Sequence, residues 1–406
     1  MAIFLLMIQL DTRFYDFVKA HSGEDPVKLR LRYGGDKSDD SIKYALDHMA
    51  CVAKAGNKFT LDDGDSWMPE LMLNPLSVEQ ASSANVAKSR ALLIDEGLKI
   101  LDMTCGLGMD IRGFLTRNPQ EVTGFELNHL SAEVAAVNFA KYDNVKIIEG
   151  DSVEFLKTLE DDSYDLIYID PARRDKNGGR VYNLHDCLPD LTEILPEMLK
   201  KSPMVMAKLS PMLDVTQTIS DLTGICRLIA VEEKGECKEL LAIIKRGFSC
   251  EPLISVGLGD NAMSFTQSEE KESPITYADP KEEMWLYVPS ASAMKAGCFK
   301  LMSSRFDMSE IAPNSHLYIS DKQNDAFPGK AFKIDEVVDF ASSNIKRLAS
   351  RVKSGEITVR NFSFTSAELQ KKLKLKPGNG CRIFATTTSS GKKIMILTDK
   401  KSTDVD

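Results

Sequence analysis

The sequence predicts an α/β protein in which a doubly wound, mainly parallel sheet follows a helical N-terminal domain and precedes an α+β region. Short apolar runs alternate with amphipathic stretches over residues 77–250, a pattern typical of parallel strands joined by crossover helices. Helical periodicity dominates residues 1–76, and helical and strand patterns mix after residue 280. The length of 406 residues is sufficient for several domains with cores of their own.

We expect four parts along the chain. They are a helical N-terminal domain, the α/β domain, a small α+β unit and a basic C-terminal domain, over residues 1–76, 77–250, 280–334 and 335–401. The polar segment 257–279 is predicted to be an exposed loop or linker. Residues 1–10 are apolar but lack a basic start, so we expect a buried helix there rather than a signal peptide.

The element predictions within these parts follow from periodicity. The predicted strands of the sheet are 98–102, 121–127, 145–148, 164–169, 204–208, 226–231 and 240–245, and the predicted helices include 78–95, 131–142 and 186–201. The basic domain is predicted to contain a helix over 335–352, a strand over 357–364, a helix over 366–373 and two final strands. Ligands of a doubly wound sheet bind at the carboxyl ends of its strands, so the site is expected there.

The charge is unevenly distributed along the chain. The whole sequence carries a net charge of −9, yet residues 341–401 contain 14 basic and 3 acidic side chains. Residues 1–340 contain 37 basic and 55 acidic side chains, a balance of −18. An acidic body with a basic C-terminal segment suggests that the segment meets a polyanion.

Composition excludes several classes of protein. No run reaches the roughly 18 apolar residues that a membrane span needs, so we expect no membrane partner. The eight cysteines form no C-x-x-C pair, which argues against a metal site and against a disulfide framework. A reducing, cytoplasmic location is therefore expected.

A glycine-rich turn after the first predicted strand is the sharpest motif. Asp102 ends that strand, and Gly106 and Gly108 then open a helix, where glycine permits a tight turn and a close approach to a ligand. Glu126 ends the next strand, where a carboxylate can accept hydrogen bonds from ribose hydroxyls. Asp151 follows the third strand, where an adenine ring would lie. Together these positions predict a nucleoside-binding site.

Two classes of cofactor suit such a site. Dinucleotides favour a third glycine near the helix N-terminus to receive the pyrophosphate, but Ile111 occupies that position. S-adenosylmethionine (SAM) has no phosphate, and its amino and carboxylate groups need an acid and the N–H groups of the loop. The sequence therefore favours SAM.

These residues and Asp170-Pro171-Ala172-Arg173 resemble motifs I to IV of class I SAM-dependent methyltransferases. The resemblance implies a seven-stranded, Rossmann-like sheet. Segments 207–214 and 236–241 and the C-terminal pattern also resemble bacterial methyltransferases with a ferredoxin-like or THUMP-like C-terminal region, which implies tRNA or rRNA as partner. The implied SAM-binding residues are Asp102, Thr104, Cys105, Gly106, Gly108, Glu126, Asp151 and Ser152.

The resemblance also implies which residues meet the methyl acceptor. In nucleic-acid amino-methyltransferases, an Asp/Asn-Pro-Pro-aromatic motif accepts the amine hydrogens and stacks on the base, so Asp170 and Pro171 are the matching residues here. Arg173 stands in place of the aromatic residue, and Tyr182 is a candidate replacement. Arg173 and Arg174 could hold an RNA phosphate or stack on a base, or instead pair with nearby acids.

A second interpretation of the acceptor site remains open. Lys88, Asp170, Lys208 and Glu239 occur in the order of the Lys-Asp-Lys-Glu tetrad of RNA 2′-O-methyltransferases, which they resemble. A lysine oriented by carboxylates could remove the proton of a ribose hydroxyl. The sequence thus predicts methylation of an RNA base nitrogen, with the ribose hydroxyl as the alternative.

The basic segment allows two interpretations. It could bind RNA phosphates, which would make affinity depend strongly on salt, or it could be a solvated helix face. Methylation of a protein or a small molecule, and an RNA-binding protein without catalysis, are the other functions that the sequence leaves open.

Overall fold

A computed structural model describes residues 12–34, 40–67, 72–173, 183–259, 262–378 and 380–398. The chain divides into two units, which are described separately. The first consists of Met1–Leu228, Leu240–Cys250 and Leu258–Asp260, and the second consists of Ile229–Glu239, Glu251–Gly257 and Asn261–Asp406. The helix predicted at residues 1–10 lies outside the described residues.

Within the described residues, five helices precede the first strand. They are α1 (Thr12–Ala20), α2 (Pro26–Tyr33), α3 (Asp40–Ala55), α4 (Pro75–Gln80) and α5 (Ala84–Ala91). The single helix predicted over 78–95 is wrong. A new helix begins after Ser83, whose hydroxyl oxygen accepts a hydrogen bond from the N–H of Val86.

The N-terminal helices share a hydrophobic core with the sheet region. Phe14, Phe59 and Trp67 are buried in the same cluster as Leu107 and Val134. The predicted domain boundary at residue 76 is therefore not a boundary between compact units, because apolar side chains on both sides of it are buried together.

The first sheet confirms the predicted doubly wound α/β class, but it has nine strands in the described residues instead of the expected seven, because β10 and β11 extend its edge beyond β8. Its order is β3-β2-β1-β4-β7-β9-β8-β10-β11. Strands β1 to β4 and β7 run parallel, and β9 runs antiparallel to β7. The strands are β1 (Lys99–Asp102), β2 (Glu121–Glu126), β3 (Val145–Glu149), β4 (Leu166–Ile169), β7 (Met204–Leu209), β8 (Ile225–Glu233), β9 (Glu236–Lys245), β10 (Leu253–Val256) and β11 (Met263–Phe265), with a separate ribbon of β5 (Ala172–Arg173) and β6 (Cys187–Leu188).

The helices between these strands are α6 (Met109–Phe114), α7 (His129–Phe139), α8 (Ser152–Thr158), α9 (Leu191–Lys201) and α10 (Val215–Asp221). The order of the strands reverses between β1 and β4, which are neighbours, so this is the topological switch point where ligands bind. The prediction of a loop over 257–279 is wrong in part, since β11 pairs with β10 and α11 (Gln267–Glu272) follows it.

The second unit contains a seven-stranded sheet of order β13-β14-β12-β15-β18-β17-β16 in the described residues. Strand β15 pairs antiparallel with β12 on one side and with β18 on the other. The helix predicted from residue 335 begins only at Ser342, because β15 continues to Asp339, and the strand predicted over 357–364 ends at Val359. The elements are β12 (Trp285–Pro289), α12 (Ala291–Ala296), α13 (Phe299–Arg305), β13 (Ser309–Glu310), β14 (Tyr318–Ser320), β15 (Gly329–Asp339), α14 (Ser342–Arg351), β16 (Glu356–Val359), α15 (Ser366–Leu373), β17 (Arg382–Thr387) and β18 (Lys393–Thr398).

In the described part of the chain, none of the helices combines the length and the apolar character that crossing a membrane requires.

Candidate active site

Acidic residues end or follow neighbouring parallel strands at one edge of the first sheet. Asp102 ends β1, Glu126 ends β2 and Asp170 follows β4. Asp102 is in register with Tyr168 of β4, and Glu126 is in register with Glu149 of β3. The carboxyl ends of these strands therefore bring the predicted acids to the same edge of the sheet, as the strand pattern implied.

Asp102 is fully buried, and only one of its two carboxylate oxygens has a hydrogen-bond partner among the described residues. One carboxylate oxygen, Oδ1, accepts a hydrogen bond from the N–H of Thr104 at 3.0 Å, but Oδ2 has no partner among the described residues. Burial is the main cause that raises the pKa of Asp102 to about 7, and the negative charges of Asp170 and Glu126 act in the same direction. A buried, unpartnered carboxylate oxygen is costly, so this atom is suited to a cationic or N–H ligand.

The cofactor loop, which we define as residues 103–108, follows Asp102. Gly106 and Gly108 have φ values of +53° and +85°, which glycine adopts without strain. Gly108 also allows close packing, because a Cβ atom there would lie 2.1 Å from the ring of Phe139. Burial raises the pKa of the Cys105 thiol well above its ordinary value, so this cysteine stays protonated at neutral pH.

Glu126 connects the cofactor loop to the second strand. Its carboxylate accepts hydrogen bonds from the N–H groups of Gly106 at 2.9 Å and Asn128 at 2.7 Å. Asp151 caps α8 by accepting from the N–H of Val153 at 2.8 Å, and Ser152 is buried beside it. These acids are thus held by main-chain donors at the strand ends.

His129 is a feature of this edge that the sequence did not reveal. Its Nδ1 lies 2.8 Å from the carboxylate of Glu149, and Glu133 lies on its other side. The hydrogen bond with Glu149 is the main cause that raises the pKa of His129. No spacing motif would have found it, since His129 begins α7 and Glu149 ends β3, two elements that are brought together only by the fold.

Asp170 is held from two sides at the end of β4. Its main-chain N–H donates to the hydroxyl of Thr104 at 2.7 Å. Its carboxylate pairs with the ammonium group of Lys208 in β7 at 2.5 Å. Pro171 is buried next to it, so the predicted acceptor residues Asp170 and Pro171 have fixed positions beside the cofactor loop.

The remaining predicted acceptor residues are only partly described. The backbone of Arg173 pairs with that of Cys187 in the β5–β6 ribbon. Arg174, Tyr182 and the side chain of Arg173 lie outside the described residues.

The four residues of the predicted tetrad have different partners. Lys208 pairs with Asp170, whereas Lys88 pairs with Asp63 at 3.0 Å. Glu239 is buried in β9 and falls within the second unit. In the structure, Lys208 and Asp170 are therefore paired with each other, whereas Lys88 is paired with a carboxylate outside the tetrad.

A buried ionic network next to the cofactor loop is a second feature that the sequence does not predict. Arg90 of α5 forms an ion pair with Asp110 of α6 and a hydrogen bond of 3.0 Å to the hydroxyl of Tyr168 in β4. No local motif joins three residues that lie this far apart along the chain.

The basic segment of the second unit is partly neutralised. Arg347 and Arg351 both pair with Glu336, and Lys392 pairs with Asp339 at 2.7 Å. These two acids precede residue 341, so the charge count from sequence placed them outside the segment.

Five exposed lysines define a lysine patch around the end of α15. The charges of Lys371 and Lys372 act on the nearby carboxylate of Glu368, but none of the five forms an ion pair within the described residues. The N–H of Lys376 donates to the carbonyl of Lys353 at 3.0 Å. The patch consists of Lys353, Lys371, Lys372, Lys374 and Lys376. Lys372 also lies 4.8 Å from the ring centre of Phe364. No group of metal-ligating side chains occurs in the described parts of either unit.

Two family models match the second unit. A ferredoxin-like domain matches residues 285–328, and a THUMP domain-like model matches residues 329–400. The second match begins at the first residue of β15.

A solved structure from Porphyromonas gingivalis W83, assigned as a methyltransferase, resembles this chain over most of its length. It is 30% identical, covers 95% of this chain and 97% of its own, and has a TM-score of 0.83. Demethylmenaquinone methyltransferase of Staphylococcus aureus (strain MRSA252) is 30% identical over 136 residues. That match spans 33% of this chain and only 52% of the relative, about half of its length.

Proposed function

This chain belongs to the methyltransferase family of the P. gingivalis protein, and we propose that it transfers a methyl group from SAM to a base nitrogen of RNA. Its ferredoxin-like and THUMP-like domains follow the sheet that carries the candidate active site.

The unpartnered oxygen of Asp102 is the observation that carries the proposal. A buried carboxylate oxygen at the mouth of a glycine-rich loop fits the ammonium group of SAM. Glu126 would hold the ribose hydroxyls, and Asp151 and Ser152 would border the adenine ring. The loop has no third glycine for a pyrophosphate, which supports SAM over a dinucleotide.

The residues around Asp170 suit acceptance of a methyl group by nitrogen. SAM supplies an electrophilic methyl group on its sulfonium when bound. Asp170 would accept hydrogen bonds from the N–H groups of the acceptor, since it lies at the end of β4 and is fixed by Thr104 and Lys208. Holding the nitrogen in line with the methyl group accounts for much of the rate in such a reaction.

RNA is the acceptor that the second unit supports. The lysine patch offers five exposed positive side chains that form no ion pair among the described residues, and it lies within the THUMP-like domain. Phosphate groups bind such surfaces with an affinity that falls steeply with salt.

Cofactor binding is tested by calorimetric titration of SAM and S-adenosylhomocysteine. We expect the wild type to bind both, and Asp102→Asn to bind each at least tenfold more weakly. Asp165→Asn is a matched control, because Asp165 also accepts a main-chain N–H, from Lys99 at 2.7 Å, but at the amino end of β4. Failure of the wild type to bind either compound would overturn the proposal.

The acceptor is tested by mass spectrometry of nucleosides from tRNA and rRNA of a deletion strain. We expect one methylated base to be missing, to return with the wild-type gene, and to stay missing with Asp170→Ala. An unchanged profile in both RNA classes would contradict an RNA substrate.

The ion pair between Lys208 and Asp170 favours one alternative, transfer to a ribose hydroxyl. Substrates with 2′-deoxy or 2′-O-methyl groups at the target nucleotide distinguish transfer to the base nitrogen from transfer to the ribose hydroxyl. Undiminished transfer to both supports the base nitrogen, and loss of transfer to both supports the ribose.

A further inference from the structure

Three polar side chains form a closed network inside the first unit. Arg90 donates to the hydroxyl of Tyr168, and that hydroxyl donates to Asp110 at 3.0 Å. Arg90 also pairs directly with Asp110, and Ser82 donates to Asp110 at 3.2 Å. Arg90 and Tyr168 are fully buried, so water does not compete for these bonds.

The network joins three elements that surround the candidate site. Arg90 lies in α5, and Asp110 is the second residue of α6, directly after the cofactor loop. Tyr168 lies in β4, two residues before Asp170. The network therefore links the helix that leaves the cofactor loop to the strand that carries the acceptor residue.

The chemistry of the network fixes its geometry. Burial of a guanidinium group without a carboxylate partner costs free energy. Asp110 must therefore stay in contact with Arg90 as long as water is excluded from this part of the interior. The hydroxyl of Tyr168 donates to Asp110 and accepts from Arg90, which leaves it one orientation. The ring of Tyr168 is held edge-on by Phe114 of α6 at 5.3 Å.

The main chain connects the same segments a second time. The N–H of Met103 donates to the carbonyl of Tyr168 at 2.9 Å, and the N–H of Asp170 donates to Thr104. We call residues 168–171 the acceptor segment. It is thus bonded to the cofactor loop through its backbone and to the helix after that loop through the Tyr168 hydroxyl.

From this geometry we infer that Arg90, Asp110 and Tyr168 are positioning residues that couple the cofactor loop to the acceptor segment. The inference rests on the proposed function, because it assumes that the loop holds SAM. When the cofactor orders the loop, α6 and the network hold Asp170 in the position for transfer. A variant that disturbs the network should therefore still bind the cofactor but should no longer hold Asp170 in place.

Tyr168→Phe tests this inference, since it removes the hydroxyl and keeps the ring. Hydrogen exchange of the amides is measured with and without S-adenosylhomocysteine. In the wild type we expect slower exchange in both the cofactor loop and the acceptor segment on binding. In Tyr168→Phe we expect protection of the loop to remain and protection of the acceptor segment to fall at least threefold.

Tyr164→Phe is the matched control. Tyr164 is also buried, and its hydroxyl bonds to Thr123 at 3.2 Å, before the amino end of β4. A merely structural role for Tyr168 would make the two variants behave alike. Equal protection of the acceptor segment in Tyr168→Phe and the wild type would overturn the inference, whereas no protection of the wild-type loop would contradict SAM binding itself.

Kinetics provide a second readout with RNA from the deletion strain. We expect Tyr168→Phe to lower kcat about tenfold while KM for SAM changes less than threefold, and Tyr164→Phe to change neither. If Tyr168→Phe does not fold, Ser82→Ala weakens the same network at its edge and is expected to lower kcat by a smaller factor. An unchanged kcat in a folded variant of the network would contradict the inference.

Discussion

The hydroxyl of Thr104 in the cofactor loop accepts a hydrogen bond from the main-chain N–H of Asp170 at 2.7 Å. This bond joins the loop that would hold the cofactor to the residue that would meet the acceptor. Thr104→Val keeps the shape of the side chain and leaves that N–H without its acceptor.

We expect Thr104→Val to lower the free energy of unfolding by about 1 to 3 kcal/mol, the cost of an unsatisfied polar group. Methyl transfer should fall more than affinity for SAM, because the position of Asp170 changes. Urea unfolding and steady-state kinetics measure the two effects. Thr123→Val, which removes the partner of Tyr164, is the control, and equal transfer by both variants would argue against this role for Thr104.

Affinity for SAM should depend on pH through Asp102. The pKa of this buried carboxyl is raised to about 7, so the free protein holds a proton there below neutral pH. The ammonium group of SAM favours the ionised form, so affinity should rise as the pH increases towards about 7, by at most about tenfold per pH unit, and should level off above it. Calorimetry in buffers of different ionisation enthalpy measures the proton released, and Asp102→Asn should show a flat profile.

Stability should change with pH in the opposite sense. A carboxyl whose pKa is raised from 3.8 to about 7 on folding stabilises the fold below pH 3.8, and this contribution is lost as pH rises through about 7. Relative to Asp102→Asn, the wild type should therefore lose stability between pH 4 and 7. Urea unfolding at several pH values checks this, and a constant difference would show that folding does not raise the pKa of Asp102.

Asp110→Asn should be strongly destabilising. It leaves the buried guanidinium of Arg90 without its carboxylate, which costs about 3 to 5 kcal/mol. Lys88→Met is the comparison on the same helix, because it breaks the exposed pair with Asp63 and should change stability little. Similar losses in both variants would mean that the Arg90 charge is solvated.

Gly108→Ala should destabilise the first unit by about 2 to 4 kcal/mol, because its Cβ would meet Phe139 and its backbone is left-handed. Gly97→Ala separates the cost of the contact with Phe139 from the cost of the left-handed backbone. Gly97 has φ +75°, but a Cβ added there would have no neighbour within 4 Å, so only the backbone cost of about 1 kcal/mol applies. Equal losses would show that the packing against Phe139 adjusts freely.

RNA binding should depend on the lysine patch. Replacing Lys371, Lys374 and Lys376 by glutamine should reduce the slope of log K against log salt by about 2 to 3 in magnitude. Lys392→Gln is the control, because that lysine is paired with Asp339 and should change the slope least. Filter binding of tRNA over a range of salt concentrations measures this, and an unchanged slope in the triple variant would exclude the patch.

The sequence predicted the parts of the site that depend on local pattern. Asp102, the glycines and Glu126 lie where strand ends put them, since the carboxyl ends of parallel strands meet at one edge. The doubly wound sheet followed from the alternation of strands and helices in the same way.

Contacts between distant elements could not be predicted in this way. The sequence singled out Lys88 on α5, whereas the structure buries Arg90. Two residues apart on a helix face nearly opposite directions, so only the packing of α5 decides which one points inward. The break at Ser83 and the pairing of Glu336 and Asp339 with the basic segment likewise depend on tertiary neighbours.

Strand β15 is shared by the two domains of the second unit. It pairs with β12 of the ferredoxin-like domain over residues 329–333 and with β18 of the THUMP-like domain over residues 334–339. A chain break or a recombination event within β15 removes the pairing strand of both β12 and β18. We therefore expect the two domains to be acquired, exchanged or lost as a pair during evolution, with a single cooperative unfolding transition for both.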